Sequence, residues 1–79
     1  METITLDYPV EHKGQTYAEL HMRRPRVGDM VLGDKRGGTD LEKELILFAT
    51  LCEVPPAVLE GLDMKDYRKV QERYTGFLS

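Results

Sequence analysis

The groups in this 79-residue chain that could do chemistry are one cysteine, two histidines and fourteen acidic residues. Cys52 with His12 and His21 does not make a zinc site. Cys52 and His21 could be read as a thiol–imidazole pair. Cys52, however, falls on an apolar helical stripe with nothing electropositive beside it to lower its pKa, so a buried structural thiol is expected. No serine precedes Ser79, the last residue. The carboxylates are many, but no two are placed in an evident pocket, and a chain this short rarely encloses one. The stretch Gly33-Asp34-Lys35-Arg36-Gly37-Gly38-Thr39 leads into a helix N-terminus, which can attract anions. It lacks the Lys-Ser/Thr that follows the glycines of a phosphate loop, and a connector is expected there. No catalytic, cofactor-binding or metal-binding residue is assigned, and the expectation is a protein that is not an enzyme.

The length allows one domain, residues 1–79, and a core so small that such chains often borrow burial from a copy of themselves or from a partner. No apolar run approaches the roughly 18 to 20 residues of a membrane span. The first residues, Met-Glu-Thr-Ile-Thr-Leu-Asp, show no signal-peptide pattern, and a lone cysteine gives no disulfide. A cytoplasmic protein without membrane partners is expected. The net charge of −3 hides a basic block at residues 21–38, with Arg23, Arg24, Arg26, Lys35 and Arg36, between two acidic ones. That block reads as a solvated loop region balancing its neighbours.

The elements follow from periodicity. In residues 3–10, Ile4, Leu6, Tyr8 and Val10 alternate with Thr3, Thr5, Asp7 and Pro9, a half-buried strand. Residues 16–24 alternate again, so residues 1–25 read as a β-hairpin. A three-residue loop, His12-Lys13-Gly14, would pair Leu6 with Leu20 and Ile4 with Met22, with Gly14 left-handed. Pro9 cannot donate to a ladder and marks a free side or a bulge. Residues 26–38 read as a short helix and a loop, with Val27, Met30 and Val31 at helical spacing. Residues 39–79 form the helical part. Thr39-x-x-Glu42 is a capping box, and Leu41, Leu45, Phe48, Ala49 and Cys52 follow as a stripe. Pro56 can open a short helix. Asp63 caps the last one, with Asp66 supporting its N-terminus and Met64, Tyr67, Val70, Tyr74, Phe77 and Leu78 along one side. The fold class is α+β: an N-terminal hairpin with three to four short helices packed on one face.

A helix-turn-helix DNA-binding regulator is the alternative reading. Ala49, Val54 and Leu59 sit at packing positions of such a motif. Yet Glu53 stands where its turn wants glycine, and the would-be recognition helix, Pro56 to Leu62, has no Arg, Lys, Asn or Gln. Base and phosphate contacts need donors there, so nucleic acid is not the expected partner. The apolar residues left over, Ile46, Leu47, Val54, Val58, Phe77 and Leu78, form a candidate protein-binding set, and the helices of residues 40–53 and 64–78 are expected to form an apolar groove or a self-association face.

The order of features resembles the small tail assembly chaperones of contractile-tailed, Mu-like phages or prophages. The stretches that carry the resemblance are Arg23-Arg24-Pro25-Arg26-Val27-Gly28-Asp29 and Leu59-x-x-Leu62-Asp63-x-x-Asp66-Tyr67. It covers nearly the whole chain. The resemblance implies a chaperone that binds the tape measure protein and keeps it soluble in the bacterial host cytoplasm until tail-tube subunits polymerise, and that is absent from the mature virion. It also implies a frameshift-extended second form, which would begin near Phe77-Leu78-Ser79. A homo-oligomer is a further expected partner state.

Overall fold

The computed structural model describes residues 1–36 and 38–79. Two strands open the chain, β1 (Glu2–His12) and β2 (Gln15–Met22). Four helices follow: α1 (Val27–Arg36), α2 (Asp40–Cys52), α3 (Pro56–Glu60) and α4 (Met64–Phe77). The strands pair antiparallel as a two-stranded sheet. Helix α4 packs against β1, α3 against β1 and α2, α2 against β2, and α1 against α2. This is the expected α+β arrangement of a hairpin with helices on one face. Its shortest dimension, 18 Å, suits one sheet layer and one helix layer about 10 Å apart.

The hairpin register differs from the expected one. Lys13 and Gly14 alone form the turn, both with positive φ (49° and 78°), and His12 pairs with Gln15. Two left-handed central residues give the turn whose twist matches that of the strands. Carried unchanged along the strands, this pairing would set Leu6 against His21. Instead the register shifts. Val10 pairs with Tyr17, but Thr5 pairs with Glu19 and Ile4 with Leu20, so Leu6, Asp7, Tyr8 and Pro9 all stand opposite Ala18. The expected pairs Leu6–Leu20 and Ile4–Met22 therefore do not form. The bulge lies at Pro9 and its neighbours, where the missing N–H breaks the ladder. It allows Ile4, Leu6, Val10, Leu20 and Met22 all to be buried.

The helix ends follow their sequence signals. Thr39 and Glu42 make both bonds of the capping box: Thr39 N–H donates to Glu42 Oε1 (2.9 Å) and Glu42 N–H to Thr39 Oγ1 (3.2 Å). Pro55 and Pro56 open α3, and Asp63 accepts from the Lys65 N–H at 2.9 Å. Helix α2 is buried through its C-terminal half, at Phe48, Ala49, Leu51 and Cys52. Its first turn projects, which leaves Leu41 exposed despite its place on the stripe. Met64, in the first turn of α4, is exposed for the same reason of position. Leu51, off the expected stripe, is fully buried, because this end of α2 meets β2 and α3 at once. Phe48 centres the core, with the rings of Tyr67 and Tyr74 tilted against it at 5.9 and 5.3 Å between centroids.

Candidate functional site: an apolar groove between three helices

The two stretches singled out by type and order prove to be clips that hold the helices in place. In the first, Arg23 forms a two-pronged pair with Asp29: Nη1 donates to Oδ2 at 3.0 Å and Nη2 to Oδ1 at 2.8 Å. The Arg26 N–H also donates to Asp29 Oδ2 (2.8 Å). The Arg23 guanidinium draws the Asp29 carboxyl below its usual pKa, against the opposing effect of burial, and the Arg26 N–H adds to the lowering. The Arg23 N–H donates to Leu51 O (3.1 Å), so one residue links β2, α1 and the end of α2. Arg24 lies over the Phe77 ring, 5.9 Å from its centroid.

In the second stretch, Asp66 is fully buried and accepts the N–H groups of Asp7 (Oδ1, 2.9 Å) and Tyr8 (Oδ2, 2.9 Å). These belong to the β1 bulge. Burial pushes the Asp66 pKa up, but the two N–H donors and Lys69, 3.4 Å away, outweigh it and hold it below the usual value. Lys69 also donates to Thr5 O and pairs with Asp7. Tyr67, next in sequence, donates its hydroxyl to Glu44 Oε1 at 2.6 Å, tying α4 to α2. Burial and the Glu44 carboxylate both raise the Tyr67 pKa.

Held this way, α1, α2 and α4 enclose an open groove of about 410 Å³. Met30, Leu47, Phe48 and Tyr74 supply its apolar lining, and Asp34, Lys43, Glu44, Gln71 and Thr75 its polar groups. Gln71 Nε2 donates to Glu44 Oε1 at 2.9 Å, which fixes part of the rim. Gly33 brings α1 close: a Cβ there would meet Lys43 O at 3.3 Å. The groove is of a kind that takes apolar side chains from one face of a helix.

The structure distributes the candidate protein-binding residues over several places. Leu47 lines the groove. Ile46 and Val54 lie together in a separate shallow depression beside Arg36 and Glu53. Phe77 packs on the core and under Arg24. Leu78 is exposed at the end of α4. Val58 is completely buried beside Leu59 and has no surface to present, because α3 turns it into the core against β1 and α2. Met30 was not legible in the sequence as a groove residue, and Phe48 and Tyr74 read there as core residues. The helical spacing of Val27, Met30 and Val31 was visible, but not which side of that helix would face a neighbour.

Cys52 is buried, and burial raises its thiol pKa to about 11, the condition of an unreactive structural cysteine. Among the described residues no group of three or more His, Cys, Asp or Glu is placed to hold a metal ion, and no helix is long and apolar enough to cross a membrane. In comparisons with known proteins, the family model described as phage tail assembly chaperone proteins, E, or 41 or 14, matches residues 3–79. No curated protein and no solved structure matches.

Proposed function

The chain belongs to the phage tail assembly chaperone family, and from that premise we propose that its client is the tape measure protein, held as an amphipathic helix in the groove between α1, α2 and α4. The observation that carries this reading is the pairing of an apolar lining (Met30, Leu47, Phe48, Tyr74) with a polar rim (Lys43, Glu44, Gln71). A long helical protein with exposed apolar faces aggregates unless those faces are covered, and a groove of this kind covers them reversibly. The protein acts by binding, without catalysis, in the host cytoplasm. It releases its client as tail-tube subunits polymerise and is absent from the finished virion. A frameshift-extended form would continue from the exposed end of α4, at Leu78 and Ser79, one turn beyond the groove residue Thr75.

Co-expression tests the reading. The tape measure protein should stay soluble and co-purify with the wild-type chain, and should be lost to the pellet with Leu47→Glu or Met30→Glu. Circular dichroism checks that each variant is folded. If both variants fold and still retain the client, the groove is not its binding site.

A further inference from the structure

Two carboxylates line the groove, and they differ in what balances them. Asp34 of α1 is paired with Lys43 of α2 at 3.8 Å. Glu44 forms no ion pair among the described residues. Its Oε1 accepts from the Tyr67 hydroxyl (2.6 Å) and from Gln71 Nε2 (2.9 Å), both on α4. Among the described residues its Oε2 accepts no hydrogen bond.

The two bonds do not by themselves account for a charge. The amide oxygen of a glutamine could accept from the same hydroxyl and the same NH₂ group. A carboxylate adds a negative charge and a second acceptor oxygen, held in place by a buried tyrosine. Leu47 and Phe48, at i+3 and i+4, share the Glu44 face of α2 and line the same groove. Glu44 is half-buried, and solvent balances its charge while the groove stands open. A helix laid over Leu47 and Tyr74 displaces that solvent. Covering a carboxylate without giving it a partner is strongly unfavourable.

We propose that Glu44 selects the client: it receives a lysine or arginine that stands beside the apolar stripe of the bound helix. This role rests on the groove reading above and adds to it which residue the client must carry. A long basic side chain suits the place, because its methylene stem lies along Leu47 while the charged head reaches the carboxylate. The pairing also sets the register. Apolar contacts alone let an amphipathic helix slide by a turn, whereas a fixed charge favours the one placement that brings a cation to it and disfavours an acidic residue there.

Isothermal titration calorimetry of the full chain with a soluble helical fragment of the tape measure protein tests this. Glu44→Gln keeps an acceptor for Tyr67 and Gln71, and circular dichroism checks its fold. Each lysine and arginine of the fragment is changed to glutamine in turn. One of these changes should weaken binding to the wild type by about tenfold. Glu44→Gln should itself bind about tenfold more weakly, and against it the same change should cost less than about twofold. Raising the salt from about 50 to 500 mM should narrow the gap between wild type and Glu44→Gln. Leu47→Glu is the control for the groove itself. If it abolishes binding while no basic residue of the fragment matters to the wild type, or while the one that matters weakens Glu44→Gln equally, the proposal is overturned and the groove stands. If Leu47→Glu binds as the wild type does, the groove reading falls and the role of Glu44 with it.

Discussion

Asp66 and Tyr8, 58 residues apart in sequence, are joined by a 2.9 Å hydrogen bond from the Tyr8 N–H to Asp66 Oδ2. With the matching bond from Asp7, it turns a break in a two-stranded ladder into the attachment point of α4. A bulge exposes backbone donors that the opposite strand no longer satisfies, and a buried carboxylate answers two of them at once. The same helix carries Tyr74 into the groove, so the hairpin irregularity helps to position a candidate binding surface.

Asp66→Asn keeps the shape but can accept through only one side-chain oxygen, and it sets an NH₂ group against a backbone N–H. The expected loss is about 2–3 kcal/mol of stability. Urea unfolding followed by circular dichroism measures it. Of a total of roughly 4–12 kcal/mol for a chain this size, that is a large share.

Acid should unfold the protein through Asp66 and Asp29. Both carboxyls have folded-state pKa values below the ordinary 3.8. Above 3.8 both folded and unfolded chains are ionised there, and the stabilisation is fully present. As pH falls from about 4 through the folded-state values, the unfolded chain binds more protons and stability drops. Urea midpoints measured from about pH 6 to pH 2 should show that fall. Asp66→Asn and Asp29→Asn should each flatten it.

The Arg23–Asp29 pair should couple β2 to α1. Asp29→Ala leaves the guanidinium and the Arg26 N–H without their acceptor, for an expected loss of about 2 kcal/mol. A double-mutant cycle with Arg23→Ala should give a coupling of about 1–3 kcal/mol. Arg23→Lys should recover only part of it, since an ammonium cannot make the two-pronged contact. Hydrogen exchange in Asp29→Ala should rise first in α1 amides.

Cys52, with its thiol pKa raised to about 11 by burial, should react with a thiol reagent at neutral pH only when the chain opens. Labelling should be slow in buffer and complete in denaturant. Rapid labelling of the folded protein would mean that the end of α2 is loose.

The elements were legible wherever the signal was local. The capping box at Thr39, the helix starts at Pro56 and Asp63, and the alternation of Ile4, Leu6 and Val10 each rest on neighbours within a few residues; Tyr8, read on the same face, is exposed instead, because it lies in the bulge. What stayed hidden was non-local. The bulge could be suspected from Pro9, but the register it produces depends on Asp66, far along the chain. Asp66 itself read as a helix-dipole residue because its β1 partners are not sequence neighbours. Val58 looked surplus because a five-residue helix has too few positions to show which side is inward. The groove was legible only in part: helices 40–53 and 64–78 read as its walls and Leu47 as a lining residue, but not α1 with Met30, whose placement depends on the Arg23–Asp29 clip.

The most direct test of the account is to map the client's footprint on the folded chain. Backbone amide and methyl NMR spectra of the labelled protein, titrated with a soluble helical fragment of the tape measure protein, give that footprint residue by residue. The largest changes are expected at Met30, Leu47, Gln71 and Tyr74, with the solvent face of the hairpin around Thr3 and Glu19 unmoved. Changes centred on the hairpin face, or at Ile46 and Val54 with the groove residues unmoved, would contradict it.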